Sequence, residues 1–158
     1  MGEQILAGRS IVITRPVGQA ESLCTALAAL GAEPLRFPLL TIVPVHDTAA
    51  LEAMARRLGE FSLAFFVSPN AVNLGLDALL RGGAWPAGLA VATVGKGSEA
   101  ALAARGFRQV IAPASGFDSE SVLALPAFQA PEVAGKRVLI LRGDGGRDLL
   151  GDTLRARG

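Results

Sequence analysis

A chain of 158 residues can bury a sizeable core, and 51% hydrophobic against 18% charged residues marks it as globular and not disordered. Fifteen basic and fourteen acidic residues leave a net charge of +1, which argues against a general nucleic-acid surface and makes any anion site a local cluster. One cysteine, Cys24, and one histidine, His46, exclude a disulfide framework and a cysteine- or histidine-built metal site.

In chain order, the N-terminus has no basic region followed by a long apolar run, so no signal peptide is expected. No uninterrupted apolar segment approaches the length that spans a bilayer, and a reducing cytoplasm is the expected location. Ser10–Thr14 (SIVIT) reads as the first strand, broken by Arg15-Pro16. Gln19–Leu30 follows as a helix, with Leu23, Leu27 and Leu30 at helical spacing and Gly31 as its stop. Cys24 lies beside Leu23 and Leu27 on that helix and reads as a small buried hydrophobe. Pro34–Phe37 is a short second strand. Phe37–Asp47 (FPLLTIVPVHD) has strand-forming residues but carries Pro38 and Pro44, which makes it an edge strand or an extended bridge between two lobes. His46, near its end, reads as a solvated loop histidine. Thr48–Leu58 is a helix with Leu51, Met54, Ala55 and Leu58 on one face.

Leu63–Val67 is apolar at every position, the habit of a strand buried on both faces of a parallel sheet. Ser68 then suits a helix N-cap and Pro69 the first helical position, where its missing N–H costs nothing. The helix runs over Asn70–Arg81, with Leu76, Leu79 and Leu80 inward, to Gly82-Gly83. Leu89–Val94 is the next strand and Ser98–Arg105 its helix. Gln109–Ile111 is a short strand and Ser119–Leu125 a helix with Val122, Leu123 and Leu125 inward. Pro126–Lys136 reads as a loop, Arg137–Leu141 as another buried strand and Asp148–Arg157 as a helix. Alternating strands and helices of this length predict an α/β fold with a doubly wound parallel sheet.

Three strand-to-helix turns, at Ser68-Pro69-Asn70, Gly95-Lys96-Gly97-Ser98 and Arg142–Arg147, are rich in Gly, Ser and basic residues. Free amides at such helix starts face the crevice where open α/β sheets bind ligands, so one edge is expected to hold anions. Gly95–Ala100 fits G-x-G-x-x-A, with Asp118 about twenty residues on in the place of a ribose partner. The turn is not in the first βα unit, however, and Asp118 sits in a loop, so a plain Gly-rich helix start is the competing reading. It is no P-loop, because Gly97 stands where Ser or Thr is required. Arg142 and Arg147 are either parts of a structural turn or a fork for a carboxylate, with Asp144 and Asp148 expected to pair with them. Of the fifteen basic residues only Lys96 and Lys136 are lysines. Arginine is the better fork for carboxylate, though genome composition produces the same excess. No Ser–His–Asp or paired-carboxylate arrangement is defensible.

Five pieces in order resemble the uroporphyrinogen-III synthase family: Ile13-Thr14-Arg15-Pro16 with Gln19; Pro38-Leu39-Leu40; Val67-Ser68-Pro69-Asn70-Ala71-Val72; Val94-Gly95-Lys96-Gly97-Ser98; and Leu139-Ile140-Leu141-Arg142-Gly143 with Gly146-Arg147. The resemblance implies flavodoxin-like, doubly wound lobes joined by a pair of extended connectors, with the active site in the cleft between them. By it, residues 1–37 open lobe one, 38–47 are the connector, and 48–158 are lobe two without its last strand. It implies a lyase that closes the linear tetrapyrrole hydroxymethylbilane to uroporphyrinogen III, with inversion of ring D and loss of water, on the way to haem, sirohaem and cobalamin. It implies no cofactor, no metal, no nucleic acid and no membrane.

The substrate is a flexible polycarboxylate, and its expected contacts are Thr14, Arg15, Ser68, Pro69, Asn70, Ala71, Gly95, Lys96, Ser98, Arg142, Gly143 and Arg147. No residue is assigned as the general acid. The family's chain continues with a strand carrying a tyrosine, and this chain has no tyrosine. The expectation is therefore a truncated chain, inactive alone and open to self-association, from an enzyme that is monomeric at full length. The alternative is a non-catalytic nucleotide- or anion-binding module resting on the Gly95–Ala100 turn.

Overall fold

The computed structural model describes residues 4–158. The chain divides into two compact units, Met1–Pro44 and Val45–Gly158.

In the first unit, β1 (Ser10–Ile13), α1 (Val17–Ala29) and β2 (Glu33–Arg36) form a β-α-β element. The two strands pair in parallel, with Ser10 opposite Glu33 and Ile13 opposite Arg36. The core is small: Ile13, Ala20 and Cys24, with Leu27 packed on it. The stripe of α1 that faces the strands is thus Ala20–Cys24–Leu27, while Leu23 and Leu30 are each 37% exposed, contrary to the expected Leu23–Leu27–Leu30 face. Small residues let the helix lie close to the ribbon, and the larger leucines fall to its flanks. Val12 and Leu35 are also exposed. Residues 37–47 form neither helix nor strand, since Pro38 and Pro44 have no N–H to give to a ladder. Two bonds continue the ribbon past its end, Phe37 N–H to the Ile13 carbonyl (2.9 Å) and Leu39 N–H to that of Thr14 (3.2 Å).

The second unit begins with α2 (Ala49–Arg56) and continues β3 (Leu63–Phe66), α3 (Pro69–Leu79), β4 (Ala90–Thr93), α4 (Lys96–Ala104) and β5 (Val110–Ile111). It then runs α5 (Ser119–Leu123), α6 (Ala130–Val133), β6 (Val138–Leu141) and α7 (Leu149–Ala156). The four strands are parallel, in the order β5-β4-β3-β6. All four residues of β3 are buried. Its alternation feeds two cores, as a period of two requires. Ala64 and Phe66 pack with Val72, Leu76, Leu79 and Leu102 on one face. Leu63 and Phe65 pack with Val122, Phe128, Leu150 and Leu154 on the other. Each fully buried phenylalanine contributes about 1.5–3 kcal/mol in apolar transfer. Trp85 closes the first core, edge-on to Phe107 at 5.2 Å with its indole N–H on the Leu89 carbonyl (2.9 Å). Helices on both faces of an all-parallel sheet make this an α/β fold of the flavodoxin-like, doubly wound kind.

Three expectations are corrected. β6 is an edge strand in the described sheet and is half-buried over Val138–Ile140, because the chain adds it outside β3. The loop after α5 contains a 3₁₀ turn at Pro126–Phe128 and the short α6, anchored by fully buried Phe128. Arg157 ties that segment down, donating to the carbonyls of Leu123 (2.9 Å) and Phe128 (2.6 Å). Leu80 is exposed, not inward, because α3 ends at Leu79 and a 3₁₀ turn takes over.

Candidate functional site

The second unit's sheet changes direction at β3. The chain runs outward through β4 to β5 and then returns to place β6 on the opposite side of β3. Such a switch point leaves a crevice beyond the strands' carboxyl ends, where the connecting loops part to either side. The register aligns the exits. Phe66 pairs with Thr93 on one side and with Leu141 on the other. The three turns therefore leave the sheet side by side, Gly95 beside Ser68 beside Arg142, over roughly 10 Å of edge at the usual strand spacing.

Ser68 is extended (φ −162°, ψ 164°) and its hydroxyl accepts the Ala71 N–H at 3.1 Å, which makes it the N-cap of α3 with Pro69 in the first turn. The cap fixes the turn and leaves the serine hydroxyl hydrogen available to a ligand. Asn70 and Ala71 are half-buried on the same turn. α4 starts earlier than expected, with Gly95 as its N-cap. Ser98 is consequently inside the first turn and buried, not a cap. Lys96 is exposed and pairs with Glu99 at 2.8 Å.

Neither Gly95 nor Gly97 has a positive φ. A Cβ on Gly97 would stand 3.4 Å from the Pro69 ring, an ordinary van der Waals contact, so the two helix starts lie close together without the space demanding a glycine there. Asp118 caps α5, accepting the Ser121 N–H (2.8 Å) and hydroxyl (2.6 Å), and these bonds hold its carboxyl below the usual range.

The third turn holds the charge. Arg142 pairs with Asp148 at 2.7 Å, as expected. Arg147 does not pair with a neighbouring aspartate. It presents both terminal nitrogens to Glu120 on α5, at 2.7 and 2.9 Å. This two-pronged bond lowers the Glu120 pKa and raises that of Arg147. Asp144 enters no ion pair among the described residues. Gly143 is exposed on the same turn. In the first unit, Thr14 and Arg15 stand exposed at the carboxyl end of β1, and Arg15 enters no ion pair among the described residues.

A cavity of about 440 Å³ opens on the sheet face beside this edge. Phe65, Val67, Val94 and Ile140 line it from the strands, Phe117 and Asp118 from the α5 side, and Arg142, Arg147 and Leu150 from the α7 side. The sequence reading found the arginines but missed Phe117 and Glu120. Glu120 lies 27 residues from Arg147, and only the sheet order brings α5 beside the loop after β6. The edge as a whole offers the backbone amides that open α4, the Ser68 hydroxyl and two guanidinium groups, which here are paired with Asp148 and Glu120; such groups suit the holding and orienting of carboxylates.

A family model described as "Uroporphyrinogen-III synthase HemD" matches residues 21–158. The uroporphyrinogen-III synthase of Salmonella typhimurium is 39% identical over 150 residues, covering 94% of this chain and 60% of the relative. That of Escherichia coli is 37% identical with the same coverage, and that of Proteus mirabilis 36% identical over 157 residues, 74% of its length. The crystal structure of uroporphyrinogen III synthase from the extremely thermophilic bacterium Thermus thermophilus superposes on 96% of this chain with a TM-score of 0.56 at 18% identity, covering 58% of that chain. The chain thus spans about 60% of the length of the first two curated relatives.

Proposed function

This chain belongs to the uroporphyrinogen-III synthase family, and from that premise we propose that it supplies the substrate-holding sheet edge of a cytoplasmic enzyme of tetrapyrrole biosynthesis. The reaction is closure of hydroxymethylbilane to uroporphyrinogen III, with the last ring inverted and water lost, in the manner of a lyase that needs neither cofactor nor metal. The observation that carries this reading is the alignment of three anion-suited turns at the switch point of the second unit, with Ser68 and Pro69 starting α3 at its centre.

The chemistry fits such an edge. Once the hydroxyl has left, the electron-rich pyrrole chain cyclises readily, so the protein's task is to fold a flexible polycarboxylate until the correct carbon attacks. Amides at the start of α4, the Ser68 hydroxyl and the Arg142 and Arg147 guanidiniums, exchanged from Asp148 and Glu120, hold acetate and propionate groups at several points. Binding spread in this way has no single indispensable residue. An acid that assists departure of the hydroxyl adds to the rate, and no side chain of the edge is singled out for it.

The test is to graft residues 8–158 in place of their counterpart in the Salmonella relative and to identify the porphyrinogen isomer formed from hydroxymethylbilane. Type III product supports the reading; only the uninverted isomer, or saturable NAD(P) binding at the Gly95–Ala100 turn instead, overturns it.

A further inference from the structure

The cavity beside the switch point has a composition of its own. Its floor is apolar, from Phe65, Val67, Val94 and Ile140, and Phe117 stands at its rim, 58% exposed. Its polar rim carries Asp118, Ser119, Asp148 and three arginines, Arg142, Arg147 and Arg155; Arg142 is paired with Asp148, Arg155 with Asp152, and the Arg147 fork is filled by Glu120. Both partners of that pair are more than half exposed, so the bond is held weakly against water and against competing anions. A guanidinium bound two-pronged by one carboxylate is preshaped for another. The volume, about 440 Å³, lies in the range of small-ligand pockets and suits one substituted ring, not a chain of four.

We propose that this cavity is a subsite for a single pyrrole ring bearing carboxylate side chains, and that Glu120 is a resident stand-in for the ligand. With the subsite empty, the Glu120 carboxylate occupies Arg147. When a ring enters against Phe117 and the apolar floor, its own carboxylate takes the Arg147 fork and Glu120 turns to solvent. One anion replaces another, so the arginine is never left bare and the site selects rings that carry a carboxylate at the right distance. This deepens the proposed function and rests on it, since it assigns one ring of the tetrapyrrole to a place away from the Ser68 cap. Arg142 sits on the same wall with its own partner, Asp148; Asp118, held by Ser121, is near enough to feel the Arg147 charge but makes no ion pair with it, so Glu120 alone fills the fork.

The probe is porphobilinogen, a monopyrrole with one acetate and one propionate, titrated into the isotope-labelled 158-residue chain and followed by amide NMR shifts. The expected result is saturable shifts at 117–120 and 147–151. Glu120→Gln should tighten binding about threefold, because the competing charge is gone while the side-chain shape is kept. Arg147→Ala should weaken it by at least a similar factor, and Arg147→Lys should fall between, having charge without the fork. Unsubstituted pyrrole should not saturate these amides. Absence of saturable shifts there, or unchanged or weaker binding by Glu120→Gln with dispersed native-like spectra, overturns the proposal. The two readings fail separately. A graft that makes type III product alongside a cavity that ignores porphobilinogen defeats the subsite alone. A graft that makes none alongside a cavity that binds the monopyrrole defeats the reaction alone.

Discussion

The two units are built from the same β-α-β plan and differ in how much of it is covered. In the second unit β3 is buried at all four positions, between helices on both faces. In the first unit β1 has one buried residue, Ile13, and its alternate neighbour Val12 is 58% exposed. Parallel strands are stable when both faces are covered. The comparison teaches that sheet chemistry alone does not make a core. The second unit has one in its own residues, whereas the first has a ribbon with a single dressed side.

The largest expected effect follows directly. Phe66→Ala empties a fully buried position and should cost about 3–5 kcal/mol in urea unfolding, while Val12→Ala should change stability by less than about 0.5 kcal/mol. Equal losses would erase the distinction between the units. Next in size is Gly75→Ala. Its new methyl would come within 2.7 Å of the Leu141 Cδ2 methyl, which must turn aside where α3 lies against β6; offset by about 1 kcal/mol from the better helix former, the net loss should be about 1–2 kcal/mol of thermal stability. Gly18→Ala on α1 meets nothing within 4 Å and should be neutral or slightly stabilising.

How much of this could be read in the residues depends on how far apart the interacting groups stand. Ser68-Pro69 was legible because a cap and its helix are neighbours, and Leu63–Val67 because four consecutive buried positions leave a continuous apolar run. The inward stripe of α1 was misread because leucines at helical spacing outweigh alanine and cysteine in any hydrophobic pattern, although the small residues are the ones that fit against the ribbon. The Arg147–Glu120 pair and the edge position of β6 were invisible for one reason. Both depend on the order β5-β4-β3-β6, and strand order is set by packing between distant segments.

Smaller again is Ser68→Ala. Loss of the bond to the Ala71 N–H should cost about 1 kcal/mol and lower, without abolishing, turnover in the graft. Thr14→Ala at the matching strand end of the first unit removes no cap and should leave stability unchanged. Complete loss of turnover by Ser68→Ala would instead mark a dedicated catalytic serine. The smallest effect is on pH dependence. Arg57 holds Glu60, Ser121 holds Asp118 and Arg147 holds Glu120 below their ordinary values. Groups with depressed folded-state values contribute stability that is fully present above the unfolded values and is lost as pH falls through the folded ones. All three carboxyls are solvent-exposed, so the acid-side decline should be shallow and should flatten further in high salt. A steep, salt-insensitive loss would show that a buried group governs it.

The central proposal is that the carboxyl edge of the second unit's sheet holds the tetrapyrrole. Hydrogen–deuterium exchange of the 158-residue chain, with and without uroporphyrinogen III under anaerobic reducing conditions, tests it most directly. Slower exchange at 67–72, 94–99 and 141–148, with no change at the opposite sheet edge around 57–62 and 86–89, is the predicted result. Protection confined to that opposite edge, or no protection at the three turns at saturating ligand, would contradict it.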